Sequence, residues 1–192
     1  MRECAALHNV AVHAYILMDN HLHLLATPET DEGLSRMMQS LGRRYVAAFN
    51  KRHSRSGTLW DGRFRAAPLE SATYLLACMR FIETNPIRLG HAIRPQDYPW
   101  SSAAHHLGIR RDPLILDHAL FWGMGNTPFE REAAYGAWLE QGVTEDEARK
   151  LGDAAIKGWP LGSASFLREI GESTDRPVGP RPRGRPARNR PE

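Results

Sequence analysis

His21 and His23 stand two residues apart in the run His21 to Ala26 (HLHLLA), which reads as a β-strand. In a strand, residues i and i+2 project from the same face, so both imidazoles would aim at one place. Two neutral imidazoles so placed can share one divalent cation, with a third ligand brought from elsewhere. The same alternation also puts two histidines on a solvated face, and the pair alone does not choose. His105 and His106 adjoin no other ligand-like residue and are expected at the surface. The two cysteines, Cys4 and Cys78, have neither zinc nor dithiol spacing. They read as free thiols of a reducing cytoplasm, packed as small hydrophobes.

Positive charge is unevenly placed. The 192 residues carry a formal charge of +3, yet Arg43, Arg44, Lys51, Arg52, Arg55, Arg63 and Arg65 fall in one short stretch. Cations that track phosphates, interleaved with Trp60 and Phe64 for stacking on bases, suit a single-stranded nucleic acid. Phe64 is expected to pack, and Arg43, Arg44, Lys51, Arg52 and Arg63 to contact DNA. Trp60 can be read either way. A second basic group crowds the C-terminus. There Pro182-Arg183-Gly184-Arg185-Pro186 has the form of an AT-hook, with Arg183 and Arg185 suited to a narrow minor groove. Generic electrostatic attachment is the simpler reading of so short a match. No apolar run is long enough to cross a bilayer, and the chain is expected in the cytoplasm without a membrane partner.

The elements that must position these groups follow from periodicity. Cys4 to Leu7 reads as the end of a helix. Val10 to Met18 and His21 to Ala26 read as strands, joined by an Asp19-Asn20 turn into an antiparallel hairpin. Leu34, Met37, Leu41, Tyr45 and Phe49 recur at helical intervals, predicting an amphipathic helix over Asp31 to Lys51 with a core-facing stripe. Ser54 to Pro68 reads as a loop. A second helix is predicted from Ser71 to Thr84, stopping before Asn85-Pro86. Asp97 to Ser102 (DYPWSS) reads as a turn. Weaker helical patterns follow over Pro113 to Trp122, Pro128 to Gln141, Glu145 to Ile156 and Ser163 to Ile170. From Gly171 the chain is rich in proline, glycine and arginine, and disorder is expected.

Several separated strings stand in a recognisable order. They are Val12 to Leu25, Gly57-Thr58-Leu59-Trp60 with Arg63-Phe64, Tyr74 to Pro86 (YLLACMRFIETNP), and Asp97 to Ser102. Together they resemble the REP-associated tyrosine transposases, a branch of the single-tyrosine HUH transposases with an IS200-like transposase domain. The resemblance runs from about residue 3 through nearly all of the chain. It implies an α+β fold with a ferredoxin-like antiparallel sheet and packed helices, followed by a small helical region and a disordered basic tail. The corresponding divisions are 1–108, 109–170 and 171–192. Relatives precede the Val12 strand with another strand and a full helix, so the first strand is expected to be missing here.

The resemblance also implies chemistry. A tyrosine oxygen attacks a phosphodiester of single-stranded or hairpin DNA, leaving a 5′-phosphotyrosyl link and a free 3′-hydroxyl beside a divalent metal, Mg or Mn. Carried over by position, His21 and His23 match the metal pair and Asn85 the third ligand. The residue matching the tyrosine is Phe81, which has no oxygen. Tyr74 is a poor substitute, because seven residues displace it by about 10 Å along the helix. Arg88 can approach the same phosphate or lie in solvent. The expected protein is therefore a DNA-binding, transposase-like chain impaired at its nucleophile, with a homodimer possible by analogy. The alternatives are an inactive DNA-binding protein and a nuclease using metal-activated water.

Overall fold

β-Branched and aromatic residues make Val10–Leu17 (β1) a strand, and it pairs antiparallel with Leu22–Pro28 (β2) in a computed structural model that describes residues 1–174 and 177–179. The register runs from Leu17↔Leu22 through Ile16↔His23 to Val10↔Pro28. The turn is closed by the Met18 N–H donating to the His21 carbonyl at 2.9 Å. Strand β2 thus begins after His21 and continues two residues beyond the expected end. The string around Arg183 and Arg185 lies outside the described residues.

An irregularity at His13 decides which side chains face which layer. The register shifts between Val12 and Ala14, and such a bulge breaks the two-residue alternation. Val10, Val12 and Tyr15 consequently share one face, while Ala14 and Ile16 join Leu25 on the other. The buried His13 ring is held between the Leu116 carbonyl at 2.7 Å and Thr27 Oγ1 at 2.9 Å.

The hairpin is the middle layer. On one face lie Arg2–Leu7 (α1) and the first half of Gly33–Arg52 (α2), with Cys4, Ala5 and Met37 buried against Val10, Val12 and Tyr15. On the other lies Ser71–Glu83 (α3), whose Leu75, Met79 and Ile82 meet Ala14, Ile16 and Leu25. That core continues into Phe121, Tyr135, Leu139 and Leu151. The architecture is α+β, with a two-stranded antiparallel sheet among the described residues.

The free edge of β1 recruits two segments that read otherwise in sequence. Leu17 N–H donates to the Trp100 carbonyl at 2.9 Å, and Ser102 N–H donates to the Tyr15 carbonyl at 3.1 Å. DYPWSS is therefore an extended edge partner as well as a turn. Likewise Leu116 N–H reaches the Val12 carbonyl at 2.8 Å, with Ile115 bridged to Val12. This pairing holds residues 113–116 out of the helix expected there; buried strand-edge groups require partners. What remains helical is Ala119–Trp122 (α6), capped by His118 Nδ1, which accepts from the Leu120 N–H.

The remaining helices are Asn85–Arg88 (α4), Ala103–His106 (α5), Pro128–Glu140 (α7), Glu145–Lys157 (α8) and Ala164–Ser173 (α9). Capping boxes start α7 and α8, Thr127 with Glu130 and Thr144 with Glu147. Helix α3 ends at Glu83, before Asn85-Pro86 as expected, and a separate short helix starts there. Pro86 occupies the first turn of α4, where its missing N–H is no loss. Helix α9 runs past Gly171 to Ser173, so the expected disorder does not begin at 171.

Candidate metal and nucleic-acid site

His21 sits at the end of the hairpin turn and His23 on β2, with ring centroids 5.1 Å apart. Helices α3 and α4 bring Phe81 and Asn85 to them. The His23 and Phe81 ring centroids are 5.6 Å apart, and Asn85 Nδ2 lies 3.2 Å from His21 Nε2. Asn85 is buried, as is every residue from Met79 to Pro86. Residues from the hairpin and from the α3–α4 junction therefore meet at one locus, His21 and Asn85 being 64 positions apart.

Arg88 organises the same spot. Its guanidinium lies 4.4 Å from the Phe81 ring centroid and donates to the Phe81 carbonyl at 2.9 Å. It also donates to Thr84 Oγ1 at 2.8 Å and to Asn85 Oδ1 at 3.2 Å. Burial lowers its pKa from the ordinary arginine value. Arg88 is itself exposed, so these contacts hold its charge beside the candidate site while leaving it open to solvent.

The donor set suits a cation. His21 Nδ1 lies 2.7 Å from Asn20 Oδ1, an acceptor, so Nδ1 carries the proton and Nε2 keeps its lone pair. Burial lowers the His21 pKa. Burial, then the charges of His21 and Arg88, push the His23 imidazole down to about 4. Neutral imidazoles are what metal ligation requires. Asn85 has its amide N–H turned to His21 and its carbonyl to Arg88. Offering oxygen to a cation means turning that amide and giving Arg88 another acceptor, which a phosphate supplies. On its open side His21 lines a cleft with Met18, Asp19, Asn20, Leu89 and His91.

The helix that carries Phe81 and Asn85 is anchored by a buried carboxylate between them. Glu83 is fully buried and accepts from the Ser102 hydroxyl at 2.5 Å, His106 Nδ1 at 2.6 Å and the Tyr135 hydroxyl at 2.7 Å. The Ser102 Oγ accepts in turn from the Tyr15 N–H at 2.9 Å, tying β1 to the same group. Sequence did hold a signal: Glu83 falls on the apolar stripe of Leu75 and Met79, where a charge must find partners.

The surface position expected for His105 and His106 is wrong. His106 is fully buried between Glu83 and the rings of Phe121 and Tyr135, and His105 is half-buried. Their partners are remote in sequence, so nothing adjacent revealed them. His105 Nε2, His106 Nε2 and an Asp117 oxygen lie within 4.8 Å of one another, a spacing that suits a metal ion. Protonation argues against one. The Asp112 N–H donates to His105 Nδ1 at 3.0 Å, so Nε2 is the protonated nitrogen and faces Asp117 as a donor at 3.3 Å.

The basic stretch lies mainly on α2 and the following loop. Lys51, Arg52, Arg55 and Arg63 are exposed. Arg43 reaches Gln39, whereas Arg44 is ion-paired with Glu3 of α1 at 2.7 Å. The core stripe expected along α2 ends at Leu41. Tyr45 is 48% exposed and its ring lies tilted against those of Phe49 and Trp60 instead. Phe64, expected to pack, is 42% exposed. Tyr74 is half-buried near Lys150 of α8. No helix among the described residues is long and apolar enough to cross a membrane.

Residues 1–85 match the family model described as Transposase IS200 like. The matched span takes in His21, His23, Phe81 and Asn85 and ends before the Asp97 to Ser102 string. No curated protein and no solved structure matches the chain.

Proposed function

Because residues 1–85 belong to the IS200-like transposase domain family, whose business is DNA, we propose that this chain binds single-stranded or hairpin DNA beside a divalent cation. His21, His23 and Asn85 would hold the cation, magnesium or manganese. The observation that carries this reading is the convergence of two neutral imidazoles, the Asn85 amide and the Arg88 guanidinium around Phe81. When bound, the cation would offset the negative charge of a phosphodiester. The chain's own residues do the rest: Arg88 offers a forked donor for a phosphate, and Asn20 keeps the His21 tautomer fit for ligation. Phe81 cannot attack phosphorus. The protein is thus a DNA binder of transposase descent whose phosphotyrosine chemistry is closed off by one residue.

Manganese titration of the apo protein, followed by labelled hairpin DNA and a denaturing gel, tests this. One manganese ion is expected to bind, His21→Ala and His23→Ala each weakening it by at least about 10–100-fold, the loss typical when even supporting groups are removed. DNA is expected to bind without a covalent adduct. Manganese affinity indifferent to both substitutions would overturn the ligand assignment. Cleavage without adduct would move the reading to a metal-activated water.

A further inference from the structure

The second half of α2 does not contribute to either core, and its rings instead lie tilted against one another at the surface. Tyr45 lies 5.6 Å from Trp60 and 6.0 Å from Phe49, centroid to centroid, and Phe49 lies 4.2 Å from His53. Arg55 adds its guanidinium over Phe49 at 5.8 Å. Trp60 lies over the helix at Gly42, where a β-carbon would stand in ordinary contact with its indole nitrogen at 3.6 Å. The loop is fastened to the helix by Asn50, whose amide donates to the Gly57 carbonyl at 2.9 Å. The result is a four-ring ladder built on a helix and its own loop.

Such a ladder is an awkward way to fill a core. Tyr45 is 48% and Trp60 37% exposed, leaving ring faces in water that a buried packing would have covered. Charge identifies the occupant. Between Gly33 and Arg65 stand eight of the chain's 25 lysines and arginines, and Asp61 is the one carboxylate. Aromatic faces flanked by cations are what unpaired nucleotides need, since bases stack on rings while phosphates meet the charges. A duplex, with its bases already stacked inside, can use only the charges. An acidic protein surface would engage the cations but gain little from open indole and phenol faces.

Resting on the DNA-binding reading above, we propose that Tyr45, Phe49, His53 and Trp60 form a stacking platform for unpaired bases, flanked by Arg43, Lys51 and Arg52. The platform lies on the α2 side of the hairpin, whereas His23 faces α3. The platform selects single-stranded over paired DNA.

Binding of the full chain to a labelled oligo(dT) and to a duplex of equal length distinguishes the outcomes, measured by fluorescence anisotropy over a range of salt. Trp60→Leu and Tyr45→Leu are expected to weaken oligo(dT) binding about tenfold or more, the scale of one lost base stack, with duplex binding within about twofold of the parent. Trp60→Phe keeps a ring and is expected to retain most of the affinity. Arg52→Ala should weaken both forms and reduce the salt slope by about one. Circular dichroism and thermal melting check that each variant folds. Equal losses on both DNA forms, or no loss in either leucine variant, would overturn the platform while leaving DNA binding and the histidine site intact. Absence of DNA binding by the unmodified chain would instead overturn the reading on which the platform rests.

Discussion

Glu83→Ala is expected to destabilise the protein by about 3–5 kcal/mol, because it strips one partner from a fully buried ionic cluster. The imidazole of His106 and the hydroxyls of Tyr135 and Ser102 all converge on this carboxylate. With alanine there, three polar groups lose their acceptor at sites no water reaches from outside, and the α3 terminus loses its link through Ser102 to β1. Against a total stability of about 5–15 kcal/mol for a typical domain, this is severe. Glu83→Gln retains the shape but not the charge, and about 1–3 kcal/mol is expected instead. Urea unfolding followed by circular dichroism measures both. A Glu83→Ala midpoint equal to that of the parent would show that the cluster contributes nothing net, and that packing alone sets the helix.

The same cluster makes stability depend on pH in a defined direction. Burial opposes the charge on His106, but the Glu83 carboxylate, with Asp117 and Asp112 adding to it, prevails and raises the pKa above the ordinary 6.5. Folding then favours the protonated ring. That contribution is complete below pH 6.5 and is lost as pH rises through the folded-state value, where the native protein releases a proton that the unfolded chain has already given up. His105, His13 and the Tyr135 hydroxyl share the surroundings, so the slope is assigned by difference. His106→Gln is expected to flatten the decline in stability as pH rises above 6.5. An unchanged slope in that variant would place the titration elsewhere.

Local pattern carried the hairpin, α2 and α3, since alternation and 3.6-residue spacing are properties of neighbouring residues. The ordered strings also placed His21, His23, Phe81 and Asn85 in one region, although 64 positions separate His21 from Asn85, because a family arrangement supplied the long-range term. What escaped depends on what lies opposite. The apolar spacing of Leu34 to Phe49 is continuous, yet the hairpin meets only its first half, and the same periodicity then serves an exposed ladder. His106 looked like a surface residue because Glu83, Tyr135 and Phe121 are 15 or more positions away. The bulge at His13 could not be read either. There the His13 ring bonds Thr27 of the partner strand and Leu116, 103 residues further along.

Phe81→Tyr is expected to convert a protein that forms no covalent DNA complex into one that does. The ring already lies beside His23 and under the Arg88 guanidinium, and a cation at 4.4 Å from its centroid favours the phenolate form of an added hydroxyl. Adding an oxygen at a buried position costs about 1–3 kcal/mol if it finds no partner, a loss the fold should survive. The expected reaction forms a bond from the tyrosine oxygen to phosphorus and breaks the bond from phosphorus to the 3′-oxygen. The phenol's proton ends on that oxygen, leaving a 3′-hydroxyl and a 5′-phosphotyrosyl strand. With manganese and labelled hairpin DNA, a denaturing gel should show a slow band in Phe81→Tyr, none in the parent, and none in Phe81→Tyr combined with His23→Ala. Tyr74→Phe in the Phe81→Tyr background should leave the band in place, since Tyr74 lies about two helical turns away. If Phe81→Tyr binds manganese and DNA yet gives no band, the reacting phosphate does not sit against this ring, and position 81 is not where the family's nucleophile belongs in this chain.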